Sequence, residues 1–238
     1  MELPAPKLSR QSLSVQIAEA LRAAILEGKL KVDARLPSEA ELASRFGVSR
    51  PTVREALKRL AAQNLIRTTR GTQGGAFVAR MGWEDARAQA AMNATLLISL
   101  HNVDFAAVCQ ARFALETAAL PLVFAAPRPE TVKALRRQIV TQSTVGLSDE
   151  AFCASDVAFH LTLIEATQNP VLSHHAGAAV EAMQPLMNMI TFQDRDRSRI
   201  VGHHRALADA LEAQDLSRAR EELDALAQYT QGLWRTVQ

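Results

Sequence analysis

One stretch of the chain, from Leu36 to Leu60, constrains the fold more than any other part of the sequence. Ser38 and Glu41 have the spacing of a capping box, in which hydroxyl and carboxylate satisfy two free amides at the start of a helix. Gly47 permits a left-handed turn after this helix. Ser49 as an N-cap and Pro51 in the first turn then begin a second helix. The stretch therefore predicts a helix-turn-helix.

The residues on either side extend this prediction to a winged helix. An amphipathic helix is predicted from Ser14 to Leu30, closed by Gly28. Downstream, short strands are predicted at Leu65–Thr69 and Ala76–Ala79, around the glycine-rich turn R-G-T-Q-G-G. A purely structural helical hairpin would explain the central stretch, but it would not explain a helix before it and a two-stranded wing after it.

The run from Leu13 to Val78 resembles the DNA-binding domain of the GntR family of bacterial transcription regulators. The resemblance is carried by L-R-A-A-I-L-E-G-K-L, L-P-S-E-A-E-L-A, F-G-V-S-R-P-T-V-R-E-A-L-K-R-L and G-G-A-F-V. It implies double-stranded DNA as the partner. The start of a recognition helix enters the major groove, and a wing tip can reach the minor groove. The candidate DNA-binding residues are therefore Ser49, Arg50, Thr52, Arg54, Arg70 and Gly71, although Ala40 stands where some relatives have a DNA-contacting arginine.

Charge is distributed unevenly and supports two domains. Residues 1–80 contain 14 Lys and Arg against 7 Asp and Glu, whereas residues 81–238 contain 13 against 18. A basic module beside an acidic one suits a protein that binds a polyanion with its first part. We expect an arm at 1–12, a winged helix at 13–79, a linker at 80–82 and a second domain at 83–238. The arm carries Lys7 and Arg10, and it is either disordered or a weak DNA contact.

Cysteine usage and hydropathy indicate the compartment. Cys109 and Cys153 are the two cysteines of the sequence, which form neither a disulfide framework nor a zinc-binding pattern. No signal peptide is visible, and the longest apolar run, Ala118 to Ala126, is about half the length of a membrane span. We expect a cytoplasmic protein.

The second domain is predicted to be an all-α bundle, so the fold class is mostly α. About seven helices are expected, at Trp83–Leu100, Asp104–Ala125, Glu130–Val145, Asp149–Gln168, Val171–Asp194, Arg197–Gln214 and Leu216–Trp234. Their order resembles the FCD ligand-sensing domain of the FadR branch of the GntR family. The motifs are A-R-F-A-L-E, D-V-A-F-H, A-T-Q-N-P and H-R-A-L-A-D-A-L-E-A-Q-D. The resemblance implies a small-molecule effector and a homodimer.

Three inward-facing polar residues are candidate ligands for a divalent metal such as Zn²⁺. Asp156 and His160 share the apolar stripe of one helix, and His204 lies on the stripe of another, so that a carboxylate and two imidazoles meet inside the bundle. The resemblance implies a metal at these segments, but it also implies a further histidine where this chain has Leu226. The site is then either open to water or effector, or lost, with the histidines as hydrogen-bonded core residues. His203, His174 and His175 are weaker candidates.

Arg112 and Glu116 form a second inward-facing pair. Buried charges need partners, so a structural ion pair is one interpretation. The other is that Arg112 binds an anionic effector, because its planar guanidinium matches a carboxylate and the resemblance places this arginine at the ligand cavity. Pro121 on the same predicted helix should kink or end it.

These features favour a DNA-binding transcription regulator, most often a repressor, controlled by a small carboxylate-bearing metabolite. A DNA-tethered, metal-dependent hydrolase is the alternative. Against this alternative, the sequence has no general base beside the Asp/His cluster, no G-x-S-x-G motif and no P-loop lysine. A constitutive architectural DNA binder would leave the second domain without a role.

Overall fold

The computed structural model describes residues 12–71, 74–100, 103–190 and 195–235, and the chain divides into two units, Met1–Gly82 and Trp83–Gln238. Three parts predicted from the sequence lie outside the described residues. These are the arm up to residue 11, residues 72–73 at the tip of the wing, and the last residues of the helix predicted to end at Asp194.

The described residues of the first unit form three helices and a two-stranded sheet. They are α1 (Leu13–Leu26), α2 (Glu39–Phe46), α3 (Arg50–Ala62), β1 (Ile66–Thr69) and β2 (Gly75–Val78). Both α1 and α2 pack on α3. The side chains at the centre of this core are inaccessible to solvent, among them Ile17, Leu21, Leu42, Val53 and Leu60.

The helix-turn-helix begins and ends where the sequence predicts. The Ser38 hydroxyl accepts from the Glu41 amide at 3.3 Å, and the Ser38 amide donates to Glu41 Oε2 at 2.7 Å. Gly47 ends α2 with φ of 64°, in the left-handed region. The capping box and the glycine turn are thus confirmed. The preceding helix α1 ends at Leu26 rather than Leu30, because Gly28 turns the chain at φ of 71°.

The wing is anchored at its base to the segment that leads into α2. Strands β1 and β2 are antiparallel, with Ile66 opposite Val78. The Leu36 amide donates to the Ala76 carbonyl at 2.8 Å, and Arg35 Nη2 donates to the Gly74 carbonyl at 2.6 Å. The winged helix expected from the sequence is confirmed.

The described residues of the second unit form seven helices, as predicted. They are α4 (Trp83–Leu100), α5 (Phe105–Ala125), α6 (Pro129–Gln142), α7 (Asp149–Glu165), α8 (Pro170–Ile190), α9 (Arg197–Glu212) and α10 (Leu216–Arg235). Three predicted ends were too late, at Val145, Gln168 and Gln214. The first of these helices stops before a turn at Gly146, where φ is 77°, and the second stops before Gln168 itself, where φ is 53°.

Helix α5 is a long, apolar helix of the second unit. By length and composition it could cross a membrane, but it packs against α7, α8 and α10 and carries the buried pair Arg112 and Glu116. The helix continues through Pro121 to the predicted end at Ala125, so of the two effects expected of this proline, a kink or an end, the end does not occur. Its apolar side chains join a core that includes Phe105, Phe113, Leu120, Phe152 and Phe159.

Candidate functional site

Helix α3 separates a buried apolar stripe from an exposed polar one. Val53, Ala56, Leu57 and Leu60 lie in the core, which fixes the orientation of the helix. The side chains of Arg50, Arg54, Lys58 and Arg59 lie on its exposed surface. Anchoring by one face and cationic side chains on the other is the arrangement of a recognition helix that lies in a groove of DNA.

The other predicted DNA-binding residues lie at the start of α3 and after β1. Ser49 caps α3, and its hydroxyl lies 2.8 Å from that of Thr52. The hydroxyl of Ser49 is therefore already engaged by the helix that it begins. Arg70 is exposed directly after β1, and Gly71 follows with φ of 108°. Such a φ requires the conformational freedom of glycine.

A partner of Arg54 was missed in the sequence. Arg54 Nε donates to Glu39 Oε1 at 3.0 Å, and Arg54 Nη2 donates to Glu39 Oε2 at 2.7 Å. These hydrogen bonds, with the guanidinium charge, lower the pKa of Glu39. Glu39 begins α2, and Arg54 lies on α3, so only the crossing of the two helices brings them together.

Asp156, His160 and His204 meet inside the second unit. One ligand atom from each lies within 4.8 Å of the others. The two imidazoles are fully buried, and the Asp156 side chain is 18 % exposed. His204 Nε2 lies 3.6 Å from Asp156 Oδ1. The three side chains thus point into the interior of the bundle, as the apolar stripes of their helices predict.

Glu116 determines which nitrogen of His160 is available. The Nδ1 atom of His160 lies 2.5 Å from Glu116 Oε2. Burial opposes ionisation of Glu116, but the charges and hydrogen bonds of His160 and Arg112 prevail and lower its pKa to about 2. Because an ionised carboxylate only accepts, Nδ1 must carry the hydrogen and donate it. In the neutral form of His160, which is the form that binds a metal, the other nitrogen, Nε2, carries a lone pair.

Gln142 has the corresponding role for His204. The Nδ1 atom of His204 donates to the amide oxygen of Gln142 at 2.8 Å, and Phe159 stacks on the ring at a centroid distance of 3.9 Å. This leaves His204 Nε2 buried without a hydrogen-bond partner among the described residues. Burial lowers the pKa of His204 to about 3, against the attraction of Asp156. At neutral pH, His204 is therefore unprotonated at Nε2, and this nitrogen has no hydrogen to donate to Asp156.

The donor set fits a divalent cation. A nitrogen lone pair and a carboxylate oxygen face each other with no hydrogen to share, which is unfavourable unless a positive charge joins them. Two imidazoles and one carboxylate are ligands that Zn²⁺ and other first-row divalent ions accept. Orientation of both rings through their second nitrogen, by Glu116 and Gln142, is a usual feature of histidine ligands.

Among the described residues, Leu226 and the three weaker histidine candidates are not part of this cluster. Leu226 is buried in the apolar core and has no donor atom. His203 Nδ1 pairs with Glu222 at 2.9 Å. His174 makes edge contacts with the rings of Trp83 and His175.

Arg112 is an ion-pair partner and also a neighbour of the cluster. Its Nε donates to Glu116 Oε1 at 2.7 Å, and the side chain is 4 % exposed. Arg112 and Glu116 thus form the buried ion pair that the structural interpretation of the sequence expects. The hydrogen bond to Glu116 uses one of the five N–H groups of the guanidinium. Burial opposes ionisation of Asp156, but electrostatic attraction to the two histidines of the cluster and, after them, to Arg112 lowers its pKa.

Sequence reasoning missed Glu39, Gln142 and the contact of Glu116 with His160. The spacing of Arg112 and Glu116 does indicate a pair on one helix. No pattern indicates Gln142, because it lies on α6 while its partner lies on α9.

Two family models match the chain. Residues 13–78 match the model of the bacterial regulatory proteins of the gntR family, and residues 107–228 match the model of the FCD domain.

Full-length relatives are also regulators. A candidate L-lactate dehydrogenase operon regulatory protein of Escherichia coli K12 is 28 % identical over 222 residues, covering 90 % of this chain and 83 % of the relative. The transcriptional repressor NanR of Escherichia coli is 27 % identical over 229 residues, covering 95 % and 86 %. The structure of a GntR protein of Streptococcus agalactiae shares the fold, with a TM-score of 0.58 at 20 % identity, covering 92 % of this chain and 99 % of that one.

Proposed function

Because the chain belongs to the GntR family of bacterial regulatory proteins, in the FadR branch with an FCD domain, we propose that it is a repressor released from DNA by a small carboxylate. The family and its relatives are transcription regulators rather than enzymes, so the hydrolase alternative is set aside. A regulator of this kind acts on DNA in the cytoplasm.

The DNA-binding residues we propose are Ser49, Arg50, Thr52, Arg54, Arg70 and Gly71. One winged helix contacts only a few base pairs, so we propose that two copies of the chain bind an inverted repeat. Replacement of Arg54 by Ala should weaken binding to a cognate site by about 1–3 kcal/mol. If Arg54 contacts a base, the loss will be larger at the cognate site than on random DNA.

The observation that carries the sensing proposal is the Nε2 atom of buried His204, which lies 3.6 Å from Asp156 Oδ1 and has no hydrogen-bond partner in the described part of the chain. We propose that Asp156, His160 and His204 hold a divalent metal there. When bound, the ion would offer coordination positions to a carboxylate oxygen, since Leu226 supplies no ligand.

Arg112 is the residue we propose as the second anchor of the effector. Its guanidinium suits a carboxylate, and it lies beside the cluster because it pairs with Glu116, the carboxylate that also bonds to His160. One relative is named for an L-lactate dehydrogenase operon, and lactate is a small hydroxy acid. An effector can release DNA only through a difference in its affinity for the two states of the dimer. Its binding must therefore change how the DNA-binding units are held.

The test compares wild type with His160→Ala and His204→Ala, and uses His203→Ala as the matched control. Metal content is measured together with operator affinity, with and without a panel of small hydroxy- and keto-carboxylates. The two cluster variants should bind the operator as wild type does but lose metal and the response to acid. The control should keep both, because His203 pairs with Glu222 instead.

Two results would change the proposal. A metal-free wild type that still responds would remove the metal and leave Arg112 as the main anchor. Loss of operator binding by both folded cluster variants would contradict the separation of sensing from DNA binding.

A further inference from the structure

We infer that Glu39 is a specificity-determining residue, which holds Arg54 so that one free edge of its guanidinium is presented to a guanine. The inference rests on the proposed contact between α3 and DNA and adds to it a residue that makes no contact with a base. Its basis is the two-pronged pairing between Glu39 and Arg54, at 3.0 and 2.7 Å.

Glu39 is itself held in place by the local structure. It is the first residue of α2, directly after the Ser38 cap, whose amide and hydroxyl both bond to Glu41. On the other side, the backbone that leads into α2 is held to the wing, because the Leu36 amide donates a hydrogen bond to strand β2. The carboxylate of Glu39 therefore projects from a backbone fixed at both sides.

The pairing uses one edge of the Arg54 guanidinium and leaves another. Glu39 accepts from Nε and from one hydrogen of Nη2. The remaining hydrogens on Nη1 and Nη2 form the end-on edge, which can donate to O6 and N7 of a guanine. A carboxylate on one edge and a base on the other fixes the guanidinium plane and limits its rotation. Arg54 is thereby oriented for one kind of base before DNA arrives.

The position of the pair argues against a purely structural role. The side chains are 58 % and 36 % exposed, and an ion pair at such exposure contributes little to stability. They line an open concavity of about 370 Å³ between α3 and the wing, together with Lys58, Thr68 and Gly75. A negative charge on this surface should reduce affinity for any phosphate backbone. Such a charge increases specificity if it weakens binding to non-cognate DNA more than binding to the cognate operator.

The experiment measures base preference separately from overall affinity. An operator is selected from random DNA with wild type, and binding to every single-base variant is compared for wild type, Glu39→Gln, Glu39→Ala and Arg54→Ala. The control is Glu55→Gln, which removes the same charge from the next residue of α3, where Glu55 pairs with Arg59 instead. The position read by Arg54 is the one at which Arg54→Ala loses its base preference.

At that position we expect wild type to lose about 5- to 150-fold in affinity when the guanine is replaced. In the Glu39 variants this penalty should fall several-fold, most in Glu39→Ala, while affinity for random DNA stays equal or rises. Glu55→Gln should keep the wild-type penalty.

Three results would overturn the inference. The first is a full penalty in both Glu39 variants, and the second is an equal reduction in Glu55→Gln. The third is a loss in Arg54→Ala that is the same on all sequences, which would place Arg54 on a phosphate. All three leave DNA binding intact. Failure of wild type to select any operator would instead contradict the proposed function itself.

Discussion

At the scale of single residues, a chain of buried hydrogen-bonded side chains runs from Arg112 through Glu116 to His160. Glu116 is completely buried and accepts from both neighbours. A buried ion pair adds little net stability, but removal of one partner leaves an uncompensated charge in the interior. The chain is therefore the part of the second unit most sensitive to a single polar substitution.

We predict that Glu116→Ala lowers the free energy of unfolding of the second unit by about 3–5 kcal/mol, because Arg112 is left buried and unpaired. Urea-induced unfolding followed by circular dichroism measures this loss. The control is the double variant Arg112→Met with Glu116→Gln, which removes the charge pair but keeps an acceptor for His160. It should lose less than the single variant. A larger loss in the double variant would show that packing, rather than charge, dominates at this position.

At the scale of elements, the helix-turn-helix depends on one left-handed residue. Gly47 ends α2 with φ of 64°, and α3 begins three residues later at Arg50. A Cβ atom at Gly47 would meet nothing within 4 Å. The cost of a side chain there is therefore conformational and not steric.

Gly47→Ala should destabilise the first unit by about 1 kcal/mol, since the left-handed region is unfavourable for alanine. Gly47→Asn should cost less, because asparagine tolerates this region. Gly202 provides the opposite control. It lies within α9, where a Cβ would also meet nothing, so Gly202→Ala should stabilise the second unit by about 0.5–1 kcal/mol. Equal unfolding midpoints for wild type and Gly47→Ala would contradict the conformational argument.

At the scale of the whole molecule, a basic unit is joined to an acidic one. This asymmetry is hidden in the net charge of +2. The acidic unit repels DNA, so contact with the phosphate backbone should be confined to the first unit. Two copies are then needed to give a recognition surface long enough for useful specificity.

We predict that the protein is a dimer at micromolar concentration and that two protomers bind one inverted repeat. Sedimentation equilibrium of the protein alone and with operator measures both stoichiometries. A single half-site should bind much more weakly than the repeat and serves as the control. A protein that stays monomeric with and without operator would argue strongly against this assembly.

The helix caps and turns could be predicted from the sequence because each depends on residues that are close together in the chain. The capping box at Ser38 and the left-handed glycine at Gly47 depend on neighbours within a few residues, and both were predicted. Helix ends near Val145 and Gln168 were placed too late. A turn there is decided by φ at single residues, which a 3.6-residue periodicity does not report.

The sequence by itself determined the winged helix, the seven-helix bundle and the inward placement of Asp156, His160 and His204, because periodicity decides which face of a helix is buried. Only the tertiary structure decided which atoms meet. Glu39 reaches Arg54 because α2 crosses α3, and Gln142 reaches His204 because α6 packs on α9. Such contacts join residues far apart in the chain, so they follow from the packing of whole helices rather than from any local pattern.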